Sequence, residues 1–156
     1  MDWKKVYESR LVNAEKAVRS IHSGNRVYLT GNCSVPQQLM AALVNYAPEV
    51  KDVEICQSLT VTDCDYTSPE LAGHLNVNTL FISGNVRKAV QDGRADFTPV
   101  LLSELPLLFK RNILPLDVAL VHLSPPDEHG LCSFGIEELK PKFLIPSIAI
   151  INLFLS

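Results

Sequence analysis

The 156-residue sequence predicts an α/β protein: an open, mostly parallel sheet in a three-layer arrangement. Three observations carry that prediction. Short apolar stretches of strand length alternate with helical stretches throughout, as expected of strands joined by right-handed crossovers. Two of those stretches, ending near Thr30 and Ile82, pass through a glycine-bearing turn straight into a helix. The run from Leu116 to Leu123 is almost unbrokenly apolar, the signature of a parallel strand covered on both faces.

Taken in order, Asn13 is an N-cap for a helix that carries Ala14, Ala17, Val18 and Ile21 on one face, and Gly24 suits its end. Arg26 to Thr30 reads as a strand. Gly31-Asn32-Cys33-Ser34-Val35-Pro36-Gln37 turns it into a second helix, with Pro36 at a first helical position and Leu39, Met40, Leu43 and Val44 at helical spacing. Such a turn presents unpaired backbone N–H groups, which suit a carboxylate, a phosphate or a developing oxyanion, although many such turns only redirect the chain.

Asp52 to Thr60 gives the next strand, ending in the hydroxyls of Ser58 and Thr60, which either meet a ligand or cap the turn. Val61 to Gly73 reads as a long irregular loop, and Leu75 to Ile82 as a strand. Ser83-Gly84-Asn85 repeats the strand, glycine and helix pattern, with Val86, Ala89 and Val90 facing inward and Gly93 as the stop. An extended piece is expected at Thr98 to Leu102, then a short helix capped by Ser103 and running to Phe109. After the apolar strand, Ser124-Pro125-Pro126 stiffens the chain, so Asp127, Glu128 and His129 stand just beyond the strand end, where ligands collect in open α/β sheets.

Composition bounds the chemistry. A chain that is 47% hydrophobic and 20% charged can bury one core. A net charge of -3 without a basic stripe argues against nucleic acid as a partner. Cys33, Cys56, Cys64 and Cys132 are scattered and no signal peptide is visible, so reduced thiols in the cytoplasm are expected. Neither those cysteines nor His122 and His129 beside Asp127 and Glu128 have metal-ligand spacing, so no metal is expected. The apolar run from Phe143 to Ser156 is shorter than a membrane span and is interrupted by Pro146, Ser147 and Asn152, which argues for a strand or an unpartnered surface.

Trp3, Tyr7, Arg10-Leu11-Val12, Ala14-Glu15, Gly24, Arg26-Val27, the turn from Gly31 to Gln37, Gly93-Arg94-Ala95-Asp96-Phe97, Pro99, Leu101-Leu102-Ser103-Glu104 and Ser124-Pro125-Pro126-Asp127-Glu128-His129-Gly130 together resemble one known family. It is the N-terminal half of the acetyl-CoA hydrolase/transferase family, in its 4-hydroxybutyrate CoA-transferase branch. The resemblance covers roughly residues 3 to 135. It implies a CoA-transferase fold of two similar halves with the active site between them. A glutamate attacks the acyl-CoA thioester, and an enzyme-bound glutamyl-CoA thioester then passes CoA to a second carboxylic acid. Coenzyme A is thus a substrate, no other cofactor is implied, and the partners are an acyl-CoA and a small carboxylate.

The catalytic glutamate of that family belongs to the second half, and none of Glu54, Glu70, Glu104 or Glu128 matches its motif, so no catalytic residue is assigned. The resemblance carries over the N-terminal wall of the cleft: Gly31, Asn32, Pro36 and Gln37, with Ser58 and Thr60. Asp127, Glu128 and His129 match a family motif and either touch substrate or order their loop. The expected organisation is a partial CoA-transferase domain over 1–135 and an aberrant apolar tail over 136–156, the mark of a frameshift, a premature stop or a truncation. The tail would favour self-association, so either a homo-oligomer or a separate second half is expected. Two further readings stand beside this one: a catalytically inactive remnant or binding module, and a sugar-phosphate isomerase of similar topology, against which the Ser124 to Gly130 motif argues.

Overall fold

A computed structural model describes residues 3–63, 65–134 and 149–154, the last as backbone. Six strands form one sheet: β1 (Arg26–Leu29), β2 (Val53–Gln57), β3 (Leu75–Thr79), β4 (Ala95–Phe97), β5 (Val118–Leu123) and β6 (Ala149–Phe154). Their order across the sheet is β4-β3-β2-β1-β5-β6, and every neighbouring pair is parallel. The α/β reading therefore holds. The strand-to-strand segments carry α3 (Gln37–Tyr46), α4 (Arg87–Gln91) and α5 (Leu105–Lys110), while α1 (Trp3–Arg10) and α2 (Ala14–Val18) precede the first strand.

Strand periodicity divides the side chains between two faces. Val27, Leu29, Val53, Ile55, Val77 and Leu120 join Val18 and Ile21 and the inner face of α3, led by Leu39 and Leu43, in the main core. Each such fully buried side chain contributes about 1.5–3 kcal/mol. On the other face Tyr28, Ala119 and Val121 pack with Phe109 of α5, the Tyr28 and Phe109 rings meeting edge to face at 5.4 Å. Cys56, Leu80 and Leu105 extend that second cluster towards β4.

Local signals placed most elements well. Asn13 caps α2, its side-chain oxygen accepting from the Lys16 N–H at 3.0 Å. Gly24 and Gly93 occupy the left-handed region after α2 and α4. Pro36 lies one position earlier than expected, as the N-cap of α3, and Glu104 rather than Ser103 flanks the start of α5.

Two differences are larger. The edge strand is Ala95–Phe97, not Thr98 to Leu102. Ala95, Asp96 and Phe97 take the register positions opposite Val77, Asn78 and Thr79, and Pro99 has no N–H to extend the ladder. The helix Trp3–Arg10 was not foreseen because it buries none of its residues and so shows little apolar period. In the tail, Ala149–Phe154 pairs with Val118–Leu123, in keeping with the strand alternative. The remainder of the expected aberrant segment lies outside the described residues, as does Cys64.

Candidate functional site

Because all six strands run the same way, their C-terminal ends share one edge, and the loops after β1, β2, β3 and β5 emerge there together. The closest approach is between the first two. A Cβ on Gly31 would lie 2.4 Å from the Leu59 carbonyl oxygen and 3.0 Å from Ser58 Oγ, so only glycine lets the two turns pass. Immediately after it, the Asn32 N–H donates to the Leu59 carbonyl at 2.6 Å, and Asn32 forms an isolated parallel bridge with Thr60. Asn32 has φ +50°, a left-handed conformation that asparagine tolerates better than most residues.

The turn is held from below by Thr30, whose hydroxyl donates to the Ser34 carbonyl at 2.8 Å. The Ser34 N–H in turn donates to the Gly31 carbonyl at 3.0 Å. The structure thus brings Gly31, Asn32, Ser58 and Thr60 together. Pro36 is buried behind them, and Gln37 is exposed as the first residue of α3. No side chain caps that helix, so its first N–H groups face outward without an intrahelical acceptor.

Ser58 is the unusual member. It is 3% exposed, and its hydroxyl is buried with no hydrogen-bond partner among the described residues. A buried hydroxyl without a partner is costly, which sets Ser58 apart from the other polar groups of this edge.

Beside these residues α3 and the loop after β2 enclose a cleft of about 640 Å³. Val35, Gln37, Met40 and Val44 line one wall, and Val61 and Thr62 belong to the other. Behind that second wall runs a polar chain that the sequence did not reveal. The Tyr66 hydroxyl donates to Gln57 Oε1 at 2.7 Å, and Gln57 Nε2 donates to Thr60 Oγ1 at 3.3 Å. Asn85 Nδ2 donates to the same Thr60 oxygen at 3.1 Å and to the Thr62 carbonyl at 2.5 Å. The repeated turn Ser83-Gly84-Asn85 was the available signal, but its partners lie more than twenty residues away.

Asp127, Glu128 and His129 occupy the loop after β5, where their bonding is local. One Asp127 carboxylate oxygen accepts from the N–H groups of His129 and Leu131, each at 2.9 Å, so this side chain orders its own loop. Glu128 and His129 are exposed and face each other at 3.5 Å. The loop is also where α1 docks: a Cβ on Gly130 would lie 2.9 Å from the Trp3 indole, and Gly130 has φ +80°.

Other titratable groups are occupied elsewhere. Glu54 makes a bidentate pair with Arg26, Nε to Oε1 at 2.8 Å and Nη2 to Oε2 at 2.9 Å, and also accepts from Asn78. Burial pushes the Glu54 carboxyl up, but the hydrogen bonds from Arg26 and Asn78 and the Arg26 charge together hold it below its ordinary value. Burial, and then the Glu54 charge, pushes the Cys56 thiol up to about 12. Cys33, Cys56 and Cys132 are free thiols. Among the described residues no three His, Cys, Asp or Glu side chains converge on a metal position, and no helix is long and apolar enough to cross a membrane.

The family model for the acetyl-CoA hydrolase/transferase N-terminal domain matches residues 1–147. The chain is 40% identical over 136 residues to a 4-hydroxybutyrate coenzyme A transferase of Clostridium kluyveri, covering 87% of this chain and 32% of that protein. It is 38% identical over 125 residues to a succinyl-CoA:acetate/propanoyl-CoA:succinate CoA transferase of Fasciola hepatica, covering 79% of this chain and 26% of that protein. The chain therefore spans about a third or less of the length of these curated relatives. Among solved structures, a 4-hydroxybutyrate CoA-transferase from Porphyromonas gingivalis superposes with a TM-score of 0.76 at 21% identity, over 99% of this chain and 42% of that one, which shows the shared fold.

Proposed function

From the premise that this chain belongs to the acetyl-CoA hydrolase/transferase family, we propose that it forms the N-terminal wall of an active-site cleft in which CoA passes between an acyl-CoA and a small carboxylic acid. The observation that carries this reading is the edge at Gly31 and Ser58. Two turns are forced into contact there, the α3 N-terminus is uncapped, and a buried hydroxyl lacks a partner. These groups offer hydrogen-bond donors and little else. They suit the oxygen of a thioester or of a carboxylate, on which negative charge resides or develops.

Donors do not make a nucleophile. Glu54 is bound to Arg26, Glu128 stands in solvent, and Glu104 flanks the start of α5. As the family resemblance implies, the covalent step, in which a glutamate takes CoA as a glutamyl thioester and then yields it to the acceptor acid, is assigned to the family's C-terminal half. In this reading the chain contributes Gly31, Asn32, Pro36, Gln37, Ser58 and Thr60 as binding groups. Asp127 is kept as a loop-ordering residue, with Glu128 and His129 beside it. Coenzyme A is a substrate, and no other cofactor is needed. The free thiols fit a cytoplasmic setting, and exposed Phe81, Leu101 and Leu102 supply apolar surface for the second half or another copy.

An amide-resolved NMR titration of the 156-residue chain with acetyl-CoA tests the reading. Shifts concentrated at Gly31, Asn32, Ser58 and Thr60 are expected. Saturating shifts that avoid all four, or none at millimolar acetyl-CoA, would overturn it.

A further inference from the structure

We propose that Asn85 is a positioning residue for this cleft, fastening the turn after β3 to the wall after β2; the inference rests on the reading of the Gly31 and Thr60 edge as a binding wall. Asn85 lies 25 positions from Thr60 in sequence, yet its carboxamide nitrogen donates to both the Thr60 hydroxyl oxygen and the Thr62 carbonyl. Its carboxamide oxygen accepts from the Ser83 hydroxyl. With Gln57 and Tyr66 this makes a chain of five side chains, Ser83, Asn85, Thr60, Gln57 and Tyr66, across the ends of β2 and β3.

The chemistry requires an amide at this position. One planar group must donate twice from its nitrogen and accept at its oxygen; aspartate lacks the donors and serine lacks the reach. Four of the five residues, all but Asn85, are buried, so their hydrogen bonds are made in a low dielectric where orientation is strongly enforced. The arrangement reaches the candidate site at its middle and at one end. Thr60 bridges to Asn32, while Thr62 and Tyr66 line the cleft. Asn85 does not itself line the cleft, and it acts through Thr60 and Thr62. A displacement of the Ser83-Gly84-Asn85 turn would thereby move the wall that faces Gln37.

The test compares the 156-residue chain with its Asn85→Asp variant, which keeps the shape and removes both donated bonds. Acetyl-CoA affinity is read from the Asn32 and Ser58 amide shifts. The variant is expected to bind about tenfold more weakly, equivalent to about 1.4 kcal/mol. In the unsubstituted chain the Asn85 carboxamide resonances should move with the same midpoint as the Asn32 amide, a response that a remote structural staple would not give and that needs no variant to fold. Equal affinity in the variant, or a stationary Asn85 carboxamide during a titration that shifts Asn32, would overturn the positioning role while leaving the binding wall intact. Absence of any shift at Gly31, Asn32 and Ser58 in the unsubstituted chain would instead remove the wall, and the inference with it.

Discussion

Gly31 and Ser58 meet where the turns after β1 and β2 cross: a Cβ on Gly31 would lie 3.0 Å from Ser58 Oγ, and that hydroxyl has no partner among the described residues. The contact joins a backbone constraint to a chemical one. The glycine is required for the turns to pass, and their passing buries the hydroxyl.

Gly31→Ala should therefore be strongly destabilising, because the new methyl meets the Leu59 carbonyl, a backbone atom that cannot rotate away. A loss of about 1–3 kcal/mol is expected from overpacking. Urea denaturation of the two chains measures it; an unchanged midpoint would mean that the turns can part at no cost.

Ser58→Ala should behave in the opposite way. Removing a buried hydroxyl that makes no bond leaves stability unchanged or raises it by about 1 kcal/mol, while acetyl-CoA binding weakens. A structural hydroxyl would show the reverse pattern, with lower stability and intact binding, in paired thermal melts and titrations.

Much of this edge was legible in the sequence, because glycine turns and apolar strand periods are local. Gly31, Asn32, Ser58 and Thr60 all sit at strand ends that the pattern of Val27, Leu29, Val53 and Ile55 marks. Asn85, Gln57 and Tyr66 escaped because their meeting depends on β2 and β3 being neighbours in a given register. The edge strand was displaced for a similar reason. Opposite Val77, Ala95 fits the ladder, whereas the more apolar run from Val100 to Leu102 has no partner strand among the described residues. The motif at Asp127, Glu128 and His129 was visible, yet its chemistry was not, since only the folded loop shows Asp127 accepting from its own backbone.

The Arg26 and Glu54 pair gives a pH dependence with a definite sign. Glu54 is held below its ordinary value when folded, so its contribution is complete above the unfolded carboxylate range and is lost as pH falls through the lowered folded value. Glu54→Gln should cost about 2 kcal/mol at pH 7. The difference between the two chains should narrow steadily as denaturation is repeated at lower pH; a gap that widens in acid would contradict the pairing.

Thiol labelling separates the cysteines by environment. Cys33 is exposed and should react with a maleimide within minutes at neutral pH; Cys132, exposed but with its thiol raised by burial and the Asp127 charge, should react more slowly; Cys56, buried with its thiol pushed up to about 12, should react only on unfolding. Mass mapping of the labelled peptides reads this directly. Bound acetyl-CoA should slow labelling of Cys33, which lies in the Gly31 turn, more than that of Cys132.

The most direct test of the central claim, a binding wall that lacks its nucleophile, is an exchange assay with the purified 156-residue chain. Isotopically labelled acetate is incubated with unlabelled acetyl-CoA and the recovered thioester is examined for label. The account predicts no label in acetyl-CoA above the protein-free control. Label entering the thioester at a rate proportional to the concentration of this chain would contradict it, and would place the missing carboxylate within these 156 residues.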